Sequence, residues 1–477
     1  MAVVQCMMHE AGRISRNRPA LIADDIRIHY GELDLMVSST AALLRAAGIA
    51  PGNRVAVYME SGWAYVTLIF ALMRAGAVVC PMNTRLPLEP LKKQLQAIEC
   101  SVLIARVSDQ SRDALTGFTC LDPDGLVSRE LAPGREDDDA LKISLDQHAS
   151  IIFSSGSTGD PKAVLHSYGN HYYNAYGANL NIRLRSDDCW LLSLPLYHVG
   201  GLGIVFRCVQ SGAAMATMNV KDSLPEALAR FPVTRLSVVP TQLRRLMRAD
   251  VPEEARKRLK AVLVGGSSVT EDLLSEARAA GYPVAFTYGL SEMNSQVTAC
   301  APTTPRAKAA TSGPVLRYRQ VRIAEDGEIL VKGETLFEGY VEGTTIRRPV
   351  DADGWFATGD VGQLDEEGYL TVTGRKDHMF ISGGENIYPE EIERALLDLP
   401  GVEQAVVVAV PDDEYGERPV AFIDGSEVGE EGHMRAALAE FLPRFKIPDR
   451  IHPWPEDAAQ EDMKPDRAWF RERAREA

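Results

Sequence analysis

Apolar and polar positions along the chain follow two periods, and the switches between them mark the elements. Over residues 30–47, Leu33, Val37, Ala41 and Leu44 recur at helical spacing, and Gly48 is placed as a C-cap. Residues 54–59 read as a strand, 63–75 as a helix, 77–81 as a short buried strand, 86–98 as an amphipathic helix and 102–104 as a strand. Strands alternating with helices predict parallel βαβ units. Residues 108–141 are polar, with Pro123, Pro133 and an acidic run at 136–139, and predict a loop-rich surface excursion. A second α/β unit follows. It has helices at 168–179 and 200–211, and strands at 190–194, 233–239, 261–264 and 284–288.

From Thr311 the helices thin out. Short strands at 320–323, 328–331 and 369–372, joined by Asp326-Gly327 and Glu367-Gly368 turns, predict a small β-rich subdomain. Helical and strand patterns return at 389–397, 402–410 and 434–442. The expected architecture is therefore α/β. A large N-terminal domain (1–373) holds two α/β subdomains and the β-rich one. A hinge at 374–377 then leads to a small, mobile α+β C-terminal domain (378–477).

Length and composition narrow the class. A chain of 477 residues exceeds one ordinary core. The net charge of −15 argues against non-specific binding to nucleic acid or an anionic membrane, though a local basic pocket for phosphates is compatible with it. Seven cysteines, an odd number with no CxxC pair, fit reduced thiols in a cytoplasm better than a disulfide framework or zinc site. No signal-peptide core is expected near Met1. The most apolar window, 64–81, is broken by Arg74 and is too short to span a bilayer.

Chemistry concentrates first in Ser154-Ser155-Gly156-Ser157-Thr158-Gly159-Asp160-Pro161-Lys162, between the apolar runs Ile151-Ile152-Phe153 and Ala163-Val164-Leu165-His166. Glycines let backbone N–H groups crowd an anion, hydroxyls add donors, and Lys162 adds a point charge, so a polyphosphate is the natural guest. The spacing Gly-x2-Gly-x2-Lys is not that of a Walker loop. Further motifs are Leu263-Val264-Gly265-Gly266-Ser267, Thr287-Tyr288-Gly289-Leu290-Ser291-Glu292, Thr358-Gly359-Asp360, Gly374-Arg375-Lys376-Asp377, Ile381-Ser382-Gly383-Gly384-Glu385-Asn386 and Asp462-Met463-Lys464.

In this order and spacing, these motifs resemble the adenylate-forming superfamily of acyl- and aryl-CoA synthetases, luciferases and peptide-synthetase adenylation domains. The resemblance runs from about Arg13 to the end. It implies that residues 154–162 cradle the phosphates of ATP and that Gly265 and Gly266 line the adenine pocket. Tyr288 and Gly289 then lie near adenine, Ser291 near the α-phosphate, and Glu292 ligates Mg²⁺. Asp360 accepts from the ribose hydroxyls, Arg375 faces ribose and phosphate, and Asp377 is the hinge. Gly383 and Gly384 belong to the thioester step, and Lys464 is the catalytic lysine of adenylation. Coenzyme A and a carboxylic acid are the other implied substrates.

The acyl pocket is placed at Tyr197, His198, Gly201, Arg207, Thr287 and Asn294, with His198 as a gate and Gly200, Gly201 and Gly203 leaving room for a ring. Arg207, one turn after Gly203, points to an acid with a second carboxylate or keto group if it faces inward. Together with Gly169-Asn170-His171-Tyr172-Tyr173-Asn174 and Asn294-Ser295-Gln296, these segments resemble the o-succinylbenzoate–CoA ligases of menaquinone biosynthesis. Another aryl- or medium-chain acyl-CoA synthetase, or an adenylation module loading a carrier protein, remains an alternative. A homo-oligomer is left open.

Overall fold

The computed structural model describes residues 2–24, 26–106, 115–129, 141–154, 161–219, 222–266, 269–425, 430–458 and 465–476. Two eight-stranded sheets form the large domain. In the first, strands Arg54–Tyr58, Val78–Pro81, Val102–Ala105 and His148–Ser154 run parallel, as the alternation of strands and helices requires. Strand Lys162–Ser167 then returns antiparallel to His148–Ser154. In the second, Cys189–Leu191, Arg235–Val238, Ala261–Val264 and Val284–Leu290 are parallel, and Ser295–Ala299 folds back on Val284–Leu290.

The two sheets are not sequential subdomains. Strands Pro19–Ile22 and Arg27–His29, from the chain's start, complete the far edge of the second sheet. Between the sheets lies a shared apolar layer. Helices Met7–Ile14, Tyr30–Ala46, Trp63–Arg74, Tyr168–Ile182 and Val199–Ser211 pack there against Val57 and Ile152 of one sheet and Trp190 and Leu263 of the other. Helices Tyr168–Ile182 and Val199–Ser211 thus share one packed layer. The first is started by a reciprocal cap, in which Asn170 N–H donates to Ser167 Oγ and Ser167 N–H donates to Asn170 Oδ1.

Two expectations change and a third is met and extended. The polar stretch after residue 108 contains an edge strand, Thr119–Leu121, parallel to Val102–Ala105. The strand expected over 190–194 ends at Leu191, where its ladder with Ala214–Ala216 stops. The β-rich subdomain is a four-stranded antiparallel sheet, and its strand Phe356–Leu364 carries Thr358-Gly359-Asp360 inside a ladder.

The C-terminal part has its own five-stranded sheet and core, with helix Pro389–Leu397 as expected. Its contacts with the large part include an ion pair, Arg248 to Glu403, at 2.5 Å.

Candidate active site

Ser154 and Lys162, which flank the segment expected to hold phosphates, are directly opposed at the ends of two antiparallel strands. Ser155, Gly156, Ser157, Thr158 and Gly159 lie outside the described residues. Lys162 Nζ sits 5.5 Å from the ring centre of Tyr340, and the Tyr340 hydroxyl donates to Glu292 Oε1 at 2.6 Å. The hairpin's cation, a phenol and the Glu292 carboxylate therefore meet at one place. Burial and the neighbouring carboxylate push the Tyr340 phenol well above its ordinary value, so it stays a donor. A single carboxylate close to a lysine suits Mg²⁺, which keeps several waters and takes its remaining ligands from substrate phosphates. Among the described residues no cluster of three or more His, Cys, Asp or Glu forms an all-protein cage.

A second chain of contacts runs to Asp377. The Tyr288 hydroxyl donates to Asp360 Oδ2 at 2.6 Å, and Arg375 Nη1 donates to Asp360 Oδ1 at 3.1 Å. Arg375 also grips Asp377 with both Nε and Nη2, at 3.0 and 3.2 Å. Burial draws the Arg375 guanidinium down, but the two carboxylates outweigh it and hold the group above its ordinary value. Both Asp360 oxygens have protein donors, and each keeps a lone pair for a diol. Gly265 lies at the end of its strand against Thr287, and a Cβ there would be 2.9 Å from Thr287 Cγ2. Gly266 turns the chain beside it at φ +89°. Gly289 lies so close to Ser295 that a Cβ would fall 2.1 Å from its carbonyl oxygen.

A third group of contacts is organised around Ser291 and Asn294. His166 Nε2 donates to the Ser291 carbonyl at 2.7 Å. Ser150 Oγ lies 2.8 Å from His171 Nε2 and 3.5 Å from His166 Nδ1, and Asn294 Nδ2 is 2.9 Å from His171 Nδ1. The Ser291 carbonyl only accepts, which fixes the proton of His166 on Nε2. Ser150 is then able to donate to Nδ1 of that ring. Burial holds both imidazoles neutral, lowering His166 to about 4 and His171 well below its ordinary value. Thr287 Oγ1 donates to the Thr298 carbonyl, closing the strand pair beneath. His198 packs edge-on against Tyr197, with ring centres 4.7 Å apart.

Arg207 faces inward and is 2% exposed. Its Nη2 donates to Asn174 Oδ1 at 3.4 Å and Ser295 Oγ at 3.3 Å, and its guanidinium lies 5.7 Å from the Trp190 ring centre. Its Nε, like Asn294 Oδ1, is buried with no hydrogen-bond partner among the described residues. Burial without an ion pair pulls this arginine down to about 10.

Gly201 does not leave room for a ring, and a Cβ on Gly200 would lie 3.2 Å from Leu194 Cδ1. A Cβ on Gly201 would lie 2.1 Å from the Pro195 carbonyl oxygen, and one on Gly203 would lie 3.3 Å from Arg207 Nη2. Their missing side chains admit backbone and guanidinium instead.

Gly383 and Gly384 form a two-residue hairpin between Phe380–Ser382 and Glu385–Ile387, both with positive φ (+59° and +88°). That turn demands residues free of a Cβ penalty. Lys464 lies outside the described residues. Sequence reasoning missed Tyr340, Ser150 and His166. The available signal was a histidine ending the otherwise apolar strand run Ala163-Val164-Leu165.

Comparison with known proteins adds an independent measure. A sequence model of the AMP-binding enzyme family matches residues 8–341, and one of the AMP-binding enzyme C-terminal domain matches residues 391–459. A curated relative, the 2-succinylbenzoate–CoA ligase of Bacillus cereus, is 35% identical over 450 residues, covering 92% of each chain. The o-succinylbenzoate CoA synthetase from Bacillus subtilis, solved in complex with the acyl-adenylate intermediate OSB-AMP, is similar with a TM-score of 0.88 at 28% identity over 98% of each chain. The same enzyme in complex with ATP and magnesium ion gives 0.86 at 29% identity, over 98% of this chain and 99% of that one.

Proposed function

The chain belongs to the AMP-binding enzyme family, and from that premise we propose that it joins 2-succinylbenzoate to coenzyme A at the expense of ATP. In the first step the succinyl carboxylate oxygen attacks the α-phosphorus, the bond to pyrophosphate breaks, and an acyl adenylate forms. In the second the CoA thiolate attacks the acyl carbon and AMP leaves. Mg²⁺ bound through Glu292 and the phosphates would neutralise charge on the leaving pyrophosphate.

Residues 154–162 hold the phosphates, with Ser154 and Lys162 at the loop's base. Ser291 faces the α-phosphate, and Asp360 and Arg375 hold the ribose. Gly265, Gly266, Tyr288 and Gly289 border adenine. Lys464 bridges carboxylate and α-phosphate in the first step. The chain then turns at 374–377 about Asp377, which withdraws Lys464 and brings Gly383 and Gly384 to the adenylate. Tyr197, His198, Thr287 and Asn294 border the acid. All these groups come from one chain, so the chemistry does not require an oligomer. The described cysteines are all free thiols, in keeping with a cytoplasmic setting.

The observation that carries the substrate assignment is Arg207, a buried cation with no carboxylate partner among the described residues. Such a charge is costly unless an anion joins it, and the ring carboxylate of 2-succinylbenzoate, left unreacted, supplies one. The matching relatives are ligases of that acid. The test is pyrophosphate release with a panel of acids. Turnover is expected with 2-succinylbenzoate; none on it, with good turnover on benzoate or octanoate, would reject the assignment. Release of pyrophosphate only with an acid later found on a carrier protein would favour the loading module instead.

A further inference from the structure

Arg207 is not the only buried guanidinium on the acyl side. Arg319, at the start of strand Arg319–Ile323 in the small β subdomain, is 5% exposed and also makes no ion pair among the described residues. Its Nε donates to the Gln296 carbonyl at 2.8 Å, Nη1 to the Arg317 carbonyl at 2.7 Å, and Nη2 to the Asn174 carbonyl at 3.3 Å. Helix Tyr168–Ile182 makes room for it with a glycine, since a Cβ on Gly177 would fall 2.2 Å from Arg319 Nη1.

Asn174 joins the two arginines. Its main-chain oxygen accepts from Arg319, its Oδ1 accepts from Arg207, and its Nδ2 donates to the Asn294 carbonyl at 2.7 Å. Residues 294–296 are likewise shared, with Ser295 on Arg207 and Gln296 on Arg319. Three elements distant in sequence therefore converge on two like charges. Burial, and then the charge of Arg207, lower Arg319 to about 9. Carbonyl dipoles soften that cost without cancelling the charge. A purely structural tie between strand and helix would need no second cation here.

We propose that Arg319 is a specificity-determining positioning residue: it adds a second fixed positive charge to the acyl site and holds Asn174 and Gln296 so that Arg207 meets the acid's second carboxylate. The inference rests on the reading that the acid is a dianion. It goes beyond it by assigning selectivity to a residue of a different subdomain, which need not touch the substrate.

The test compares two acids, 2-succinylbenzoate and 4-oxo-4-phenylbutanoate, which lacks the ring carboxylate. Steady-state pyrophosphate release is measured for the wild type, Arg319→Gln and Arg319→Lys. Arg319→Gln should raise KM for the diacid about tenfold, leaving kcat and the KM for ATP within twofold and kcat/KM for the monoacid unchanged. Arg319→Lys, which keeps the charge but not the fork, should recover part of the diacid KM. Equal losses on both acids, or an unchanged diacid KM, would overturn the proposal. If Arg319→Gln does not fold, the lysine variant decides by the same ratio of the two acids. If the wild type does not prefer the diacid, the substrate reading fails first; if it does and Arg319→Gln loses both acids alike, only this inference fails.

Discussion

Arg207 and Arg375 are the same residue type used in opposite ways. Arg375 lies near the surface and is gripped by two carboxylates, Asp360 and Asp377, which hold it above its ordinary pKa. Arg207 is sealed in the core with neutral partners only, and burial drags it down to about 10. A charge with its counter-ions in place stabilises an arrangement and must be released for that arrangement to change. A charge without one leaves a deficit that a ligand can fill. The Asp360–Arg375–Asp377 cluster proposed to hold the nucleotide is therefore saturated and exchangeable, whereas the Arg207 site proposed for the acid is unsaturated.

The largest effect expected from this contrast is at Arg207. Arg207→Met should lower kcat/KM for 2-succinylbenzoate by roughly a hundredfold to a few thousandfold, because losing one partner of a desolvated pair costs about 3–5 kcal/mol. The same variant should unfold in urea at an unchanged or higher midpoint, since an apolar side chain replaces an uncompensated cation. Arg375→Met should instead lower activity while leaving stability within about 1 kcal/mol, as partly exposed pairs contribute little. If Arg207→Met is clearly destabilised, Arg207 is a structural residue and the contrast is lost.

The next effect sharpens the exchangeable half. Asp377 holds Arg375 through two donors, and its backbone lies where the chain is proposed to turn. Asp377→Ala removes a charge-assisted contact of about 1.5–3 kcal/mol. It should slow consumption of supplied acyl adenylate by CoA roughly tenfold or more, and alter pyrophosphate release less than threefold. Equal changes in both half-reactions would show that Asp377 supports the nucleotide site rather than the turn.

How much of this was legible in sequence follows from the range of the forces involved. Helix Pro389–Leu397 was readable because its proline, acidic first turn and apolar spacing are local. Arg207 was readable as a question, since an arginine on an apolar helix must either find solvent or be used. Arg319 and Tyr340 were not: Arg319 reaches Asn174 across 145 residues, and Tyr340 reaches Glu292 across 48. Glycines were half legible. Gly201 reads in sequence as room for a ring, but the fold puts the Pro195 carbonyl in that space. Strand Ala214–Ala216 was invisible because three residues carry no period, and its parallel pairing with Cys189–Leu191 on one side and Pro19–Ile22 on the other defines it.

The smallest effect concerns a third treatment of buried basicity, in which the group gives up its charge altogether. His166 and His171 are buried and neutral, His166 lowered to about 4. An unfolded imidazole takes up a proton near pH 6.5, so between about 6.5 and 4 the unfolded chain binds protons that the folded one does not. The stability from these two groups is present in full above pH 6.5 and falls as the pH drops through that window, by up to about 2.7 kcal/mol per pH unit for the pair. His166→Gln keeps an amide able to donate to the Ser291 carbonyl but cannot titrate. Its urea midpoint should fall less steeply from pH 6.5 to 5 than the wild type's, with about half of the two-histidine slope gone, while its activity at pH 8 changes little. Identical slopes would mean that His166 protonates in the folded state, and that the contacts around Ser291 tolerate a positive charge.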